Sequence, residues 1–158
     1  MKIIYLVAAL LCTIQVNAQS NYEKDPESCT SIMVGKKATT DGSVITSHTC
    51  DSWYRTWVDM VPAQKYDKDT TMAIYDGRMH TEFVADQTKV TVKGEIPQVR
   101  QTYAFMDTSY PCMNEKQLGI GETTITGKRE LQNPNGMFMI EELQRVVLQR
   151  CTTAREAI

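Results

Sequence analysis

The chain lacks a strong excess of charge of either sign. Its formal net charge is −2 at pH 7, and it stays close to zero when the first 28 residues are left out. Proteins that bind nucleic acids or anionic membranes do so with a basic face. The charge balance therefore argues against a nucleic acid or a membrane surface as the partner.

Long hydrophobic runs are also missing, apart from one short run at the N-terminus. Ile3 to Ile14 is apolar over 12 residues, fewer than the roughly 20 that a helix needs to span a bilayer. Lys2 precedes this run and supplies a positive charge. Ala18 follows the run and is a small residue of the kind after which signal peptidase cuts. We therefore expect residues 1–18 to be a cleavable signal peptide and the mature protein to be secreted or periplasmic.

No cysteines have the spacing of a zinc knuckle or zinc ribbon, so we expect no metal and no cofactor. An oxidising compartment permits disulfides, and we predict the pair Cys50–Cys112 because both lie in the β-rich part of the chain. Other pairings that involve Cys151 stay open. The cysteines beyond the signal peptide are Cys29, Cys50, Cys112 and Cys151.

The stretch from Cys29 to Ser43 has the pattern of a strand, a polar loop and a return strand. Ile32-Met33-Val34 predicts the first strand, Asp41-Gly42 the turn, and Val44-Ile45 the second strand. A cysteine at a strand end is ordinarily a packed or disulfide-bonded residue. The polar residues in front of it, 19–28, show no periodicity and suit either a frayed tail or a propeptide.

A propeptide at residues 19–28 would have a chemical purpose, because its removal gives Cys29 a free α-amino group. Such an amine has a pKa of about 7.7–8.0, so it can act as a base near neutral pH. On the same residue as a thiol, it supplies both a nucleophile and the base that activates it. This hypothesis makes Cys29 the candidate nucleophile.

Three blocks of sequence resemble the C69 dipeptidases, cysteine peptidases of the N-terminal-nucleophile hydrolase superfamily. The blocks are Cys29–Ser43, Asn114–Thr124 and Leu148–Ile158. The resemblance implies an α+β fold, the αββα sandwich of that superfamily, of which residues 29–158 would be the N-terminal part and inactive alone. It also implies hydrolysis of dipeptides or short peptides through an acyl-enzyme intermediate.

The resemblance also suggests site residues besides Cys29. In related amidases, such as penicillin V acylase and bile-salt hydrolase, an Arg-x-x-Asp sequence stands where His48 to Asp51 stand here. Asp51 matches the aspartate that contacts the nucleophile's amine, whereas His48 replaces the arginine and thereby favours a dipeptidase. Glu122 and Thr123 lie in the second block and, with His48, are candidates for the substrate site or oxyanion hole. A turn-capping Asp51, a surface His48 and a plain strand around Glu122 stay open.

The remaining patterns predict strands and one clear helix. Met139–Arg150 should form an amphipathic helix whose apolar stripe packs on a sheet, and Thr153 with Glu156 forms a capping-box pattern that should start a second helix. The stripe consists of Ile140, Leu143, Val146, Val147 and Cys151. Strands are predicted at residues 53–62, 72–75, 88–92, 99–106 and 117–126.

Two other functions fit the same residues. The first keeps the mechanism and changes the substrate to an N-acyl amide. The second is a secreted, disulfide-bonded β module without catalysis, in which Cys29 pairs with another cysteine. A homo-oligomer is compatible with each of them.

Overall fold

The computed structural model describes residues 29–50, 54–55, 57–82, 86, 88–123 and 128–158. The predicted signal peptide, the predicted propeptide and Asp51 lie outside these residues. No helix in the described ranges has the length and apolar content to cross a lipid bilayer.

Within those ranges, seven short strands form three antiparallel sheets, and two helices follow near the C-terminus. One sheet pairs β1 with β2, one joins β3, β6 and β7, and one pairs β4 with β5. This composition is compatible with the predicted α+β class. The strands are β1 (Ser31–Val34), β2 (Ile45–His48), β3 (Asp59–Val61), β4 (Thr71–Asp76), β5 (Thr91–Pro97), β6 (Phe105–Asp107) and β7 (Met113–Asn114), and the helices are α1 (Ile140–Arg150) and α2 (Ala154–Ala157).

The first two strands form the hairpin that the sequence predicts. Ser31 lies opposite His48, and Val34 lies opposite Ile45. Between them, the Ser43 amide donates a hydrogen bond to Asp41 Oδ1 (3.0 Å), and Gly42 has a φ of +77°. Glycine adopts that φ without steric cost, which explains the Asp-Gly pair at this turn.

Several of the other predicted strands are wrong in extent. Residues 99–104 are hydrogen-bonded mainly to the segment around Gln64, but the regular strand begins only at Phe105. Gly119 makes a single bridge to Met113, so no strand runs through the described part of 117–126. Periodicity indicates an extended backbone, but it does not supply the partner strand that a regular ladder requires. The described residues of 53–62 contribute only β3, and residues 88–92 contribute only the start of β5.

Helix α1 forms where predicted, but its first two turns bury a different face from the predicted one. Ile140 and Leu143, at the start of the predicted apolar stripe, are 41% and 44% exposed. Glu142 and Arg145, on another face, are buried. The expectation that the stripe packs on a sheet is therefore wrong for the first turns of the helix.

A buried ion-pair network explains this orientation of α1. Asp107 on β6 accepts from Arg55 Nη2 at 2.6 Å and from Arg145 Nη2 at 2.7 Å. Glu142 pairs with Arg145 (3.3 Å) and with Arg78 (3.4 Å). Buried charges are tolerated when they are paired and hydrogen-bonded, and the guanidinium fork suits two carboxylates at once. The helix is thus attached to the sheet by charge over its first half.

The C-terminal half of α1 packs on apolar side chains. The hydrophobic cluster consists of Phe105, Leu118, Val147 and Leu148. Asn114 is also buried. The side-chain Nδ2 of Asn114 donates hydrogen bonds to the backbone oxygens of Leu148 (2.9 Å) and Cys151 (2.8 Å). These carbonyl groups would otherwise lack a partner at the helix end. The predicted capping box of Thr153 and Glu156 is confirmed at the start of α2.

Glu141→Gln should stabilise the folded protein at neutral pH. Both carboxylate oxygens of Glu141 are buried without a hydrogen-bond partner among the described residues, and burial raises the pKa of this group. The folded protein then holds the proton more tightly than the unfolded chain, so stability falls as the pH rises above the ordinary glutamate pKa of about 4.3. The neutral amide removes that loss, by about 1 kcal/mol at pH 7.

Urea unfolding at about pH 5 and about pH 8 measures this difference. Glu130→Gln is the matched control, because Glu130 is an exposed glutamate. A Glu141→Gln variant with the same loss of stability at high pH as the native protein would contradict the expectation.

Candidate active site

The hairpin register brings two cysteines face to face. Thr49 donates its amide to the Thr30 carbonyl at 2.9 Å, and the Thr30 amide donates to Thr49 Oγ1 at 3.1 Å. These bonds extend the pairing of Ser31 with His48 by one step toward the open end of the hairpin. One step further, the register places Cys29 opposite Cys50. Both thiols are partly buried.

The segment that contains Glu122 and Thr123 lies beside this open end. The Cys29 thiol donates to Glu122 Oε1 at a sulfur–oxygen distance of 3.8 Å. The hydroxyl groups of Ser31 and Thr123 are 2.7 Å apart and share a hydrogen bond. The structure thus brings Cys29, Glu122 and Thr123 together, although no regular strand carries the last two.

His48 belongs to the same region and is partly buried at the end of β2. Its ring lies edge-on to the Tyr110 ring, with 6.3 Å between the centroids. A Cβ atom added to Gly121 would lie 3.4 Å from His48 Nδ1, tighter than most contacts. The His48 side chain therefore lies close to the backbone at Gly121.

A cavity of about 380 Å³ opens next to the cysteine pair. Its walls include His48, Cys50, Trp57, Tyr110 and Cys112. Its volume is within the range of about 300–1,000 Å³ that small-molecule sites occupy. The cavity can hold a small substrate on the Cys50 side of the hairpin end, between aromatic side chains and one imidazole.

The predicted disulfide between Cys50 and Cys112 is wrong, because all four cysteines of the described residues are free thiols. The hairpin register turns Cys50 toward Cys29 instead. Cys50 is the site residue that the sequence analysis missed. The register of the predicted hairpin would have identified it, since a two-stranded ladder fixes which residues lie opposite each other.

Comparison with known proteins adds the family. A family model described as peptidase family C69 matches residues 28–158. The chain belongs to peptidase family C69. Comparisons with curated proteins and with solved structures gave no match. Membership of this family implies a cysteine-type peptidase, and hence a hydrolase. The match starts one residue before Cys29.

In this C69 peptidase the Cys50 thiol has a higher pKa than an ordinary cysteine. Burial, together with the negative charge that Cys29 and Glu122 can carry, raises the pKa of Cys50 to about 11. Cys50 is therefore a neutral thiol near pH 7, and a neutral thiol is a poor nucleophile. Two effects raise the pKa of Tyr110: burial is the larger, and the hydrogen bond with Tyr54 is the second. The Tyr110 hydroxyl on the cavity wall therefore stays protonated.

The predicted site residues of the C69 chain thus fall into two groups. Cys29, His48, Glu122 and Thr123 lie at or beside the open end of the hairpin, with Cys50 added by the structure. Asp51 lies outside the described residues, so its predicted contact with the nucleophile's amine stays a prediction.

Proposed function

We propose that this member of peptidase family C69 is an exported cysteine dipeptidase whose nucleophile is Cys29. The observation that carries the proposal is the placement of the Cys29 thiol. This thiol is partly buried and is not in a disulfide. It lies at the end of a hydrogen-bonded hairpin and donates a hydrogen bond to the Glu122 carboxylate. A nucleophile fixed in this way is held near its target, which is the main advantage of a preorganised site.

In the printed sequence Cys29 follows Ser28, so its nitrogen is an amide and cannot accept a proton. The proposal therefore includes removal of residues 19–28 after the signal peptide of residues 1–18. The new α-amine takes the proton from the Cys29 thiol, and Asp51 orients that amine. The domain would then be the N-terminal part of the αββα sandwich of the N-terminal-nucleophile hydrolases.

The reaction follows from these groups. The Cys29 thiolate adds to the peptide carbonyl carbon, and the carbonyl oxygen becomes an oxyanion. Backbone amides near Glu122, with Thr123 and His48 beside them, are the proposed stabilising groups, and one such donor is worth about 3 kcal/mol. The intermediate collapses as the α-ammonium group protonates the departing amine, which leaves a thioester on Cys29. Water, deprotonated by the same α-amine, attacks the thioester carbonyl carbon. The carbon–sulfur bond then breaks, the acyl group leaves as a carboxylic acid, and the α-ammonium group returns its proton to the Cys29 sulfur.

The free thiols of Cys29 and Cys50 disfavour the alternative of a disulfide-bonded module. The N-acyl amide alternative uses the same nucleophile and differs in the group that the cavity accepts. It is therefore an outcome of the substrate test below.

The experiment that tests the proposal is the N-terminal sequence of the exported natural gene product, in native form and as Cys29→Ser. We expect the native protein to begin at Cys29. A native protein that begins at Gln19 would contradict the mechanism, because Cys29 would never acquire a free amine. The variant shows whether Cys29 takes part in its own exposure, in which case residues 19–28 are retained.

The same preparation is then given a panel of dipeptides and, in parallel, N-acyl amides such as phenoxyacetyl amides and bile-salt conjugates. We expect the dipeptides to be hydrolysed in preference. Hydrolysis confined to the N-acyl amides would replace the dipeptidase with the amidase.

A further inference from the structure

We propose that Cys29, Cys50 and Glu122 form a binding site for a thiophilic divalent cation such as Zn²⁺. The cation would bind both thiol groups as thiolates and the glutamate as a carboxylate. The effect on catalysis rests on the proposed function, in which Cys29 is the nucleophile. A cation bound to the Cys29 sulfur then prevents its attack and reversibly inhibits the peptidase.

The distances suit a single shared ion. One ligand atom from each of Cys29, Cys50 and Glu122 lies within 4.8 Å of the others. Zinc–sulfur bonds are about 2.3 Å long and zinc–oxygen bonds about 2.0–2.2 Å, so in a tetrahedral site two sulfurs lie roughly 3.8 Å apart and a sulfur and an oxygen roughly 3.5 Å apart. Cys29 Sγ and Glu122 Oε1, at 3.8 Å, are within a few tenths of an ångström of the tetrahedral separation. We therefore expect side-chain rotations to bring the three ligand atoms onto one ion.

The backbone that carries the three ligands is fixed on both sides. The two cysteines are opposite each other at the end of a regular antiparallel ladder, just beyond the bonded pair of Thr30 and Thr49. The third ligand comes from a remote segment that is tied to the same hairpin by the Ser31–Thr123 hydrogen bond. Three ligands on restrained backbone need little ordering when the ion binds.

The ligand chemistry selects the metal. Two sulfurs and one carboxylate oxygen suit zinc and other borderline or soft cations, whereas Mg²⁺ and Ca²⁺ prefer sites made of oxygen alone. Three protein ligands leave the fourth tetrahedral position to water. The ion must also displace the thiol protons, so its affinity should rise with pH.

Cobalt is the probe that tests the site without any measurement of catalysis. The untagged 158-residue chain, kept reduced and free of oxygen, is titrated with Co²⁺ while the near-ultraviolet thiolate-to-cobalt charge-transfer absorption is recorded. We expect one Co²⁺ per chain, and we expect Zn²⁺ to displace it. Cys50→Ser and Glu122→Gln should each weaken binding at least about 10-fold, because loss of even an outer-shell partner costs 10–100-fold.

Cys112→Ser is the matched control, since Cys112 is also a free, partly buried thiol and lines the same cavity as Cys50. We expect its Co²⁺ affinity to equal that of the native chain. The proposal is overturned if no charge-transfer band appears, if Cys50→Ser binds as tightly as the native chain, or if Cys112→Ser loses the band to the same extent.

A second arm relates the site to catalysis. Zn²⁺ should inhibit dipeptide hydrolysis by the natural gene product, and a chelator should restore it. The two proposals can fail separately. Cobalt binding that depends on Cys50, in a protein that hydrolyses no dipeptide, contradicts the proposed function and supports the metal site. Hydrolysis without any cobalt band does the reverse.

Discussion

Cys29→Ser should lower the kcat for dipeptide hydrolysis by the natural gene product about 10⁴-fold or more, since removal of a catalytic nucleophile has cost about 10⁶-fold elsewhere. The serine hydroxyl occupies nearly the same position, so the loss reports chemistry rather than packing. A hydroxyl is far less ionised than a thiol near neutral pH and depends more heavily on its base. Steady-state kinetics with the best dipeptide of the panel measure the effect.

Cys151→Ser is the matched control for that substitution. Cys151 is a free thiol at the C-terminal end of α1, and it contacts the backbone of Glu156 rather than any proposed site residue. We expect its kcat to stay within about 2-fold of the native value, because Cys151 lies apart from the proposed site and a conservative change at such a position usually alters stability by only about 0.5 kcal/mol. A Cys29→Ser protein as active as Cys151→Ser would mean that another group is the nucleophile.

Asp107→Ala should destabilise the fold by about 3–5 kcal/mol, the usual consequence of removing one partner from a buried ion pair. Asp107 is the shared acceptor of Arg55 and Arg145, and all three side chains are buried. Alanine leaves two guanidinium groups in the interior without the carboxylate that joined them. Chemical unfolding followed by circular dichroism gives the change in free energy of unfolding.

Asp59→Ala provides the comparison, because Asp59 lies directly opposite Asp107 in the β3–β6 pair. It is only partly buried, and its recorded hydrogen bond is to the neighbouring Met60 amide. We expect a loss of about 1 kcal/mol or less, as for most half-exposed positions. Equal losses in the two variants would show that the ion-pair network contributes little to stability.

Local sequence patterns predicted the elements that depend on local interactions. The β1–β2 hairpin follows from a turn dipeptide between two apolar runs, and α1 follows from its 3.6-residue period. The capping box at Thr153 needs no distant partner and was also predicted. The extents of β5 and β6 were missed because they depend on pairing partners that lie far away along the chain.

The face that α1 buries could not be predicted in the same way. Amphipathic patterns assume that apolar side chains face inward. Here Arg55, Asp107 and Arg145, from three separate parts of the chain, combine into a network whose members each look like solvent-exposed residues in isolation. Only the tertiary structure shows that each charge has its partner.

The sequence predicts some residues of the candidate site but not Cys50. The family resemblance pointed to Cys29, Glu122 and Thr123, and the structure places them within hydrogen-bond reach of one hairpin end. The predicted disulfide of Cys50 rests on its position in the β-rich part of the chain, which does not include the register of the hairpin. The pairing of Ser31 with His48 determines which thiol faces Cys29.

The burial of charged side chains in the first two turns of α1 also affects how this helix can change over evolutionary time. Neutral drift usually spares apolar helix positions and accumulates at charged ones. In the first two turns of α1 the buried positions carry charges, and Glu142 and Arg145 can change only if their ionic partners change with them. Selection on this helix thus acts on pairs of charges and links α1 to distant positions of the chain.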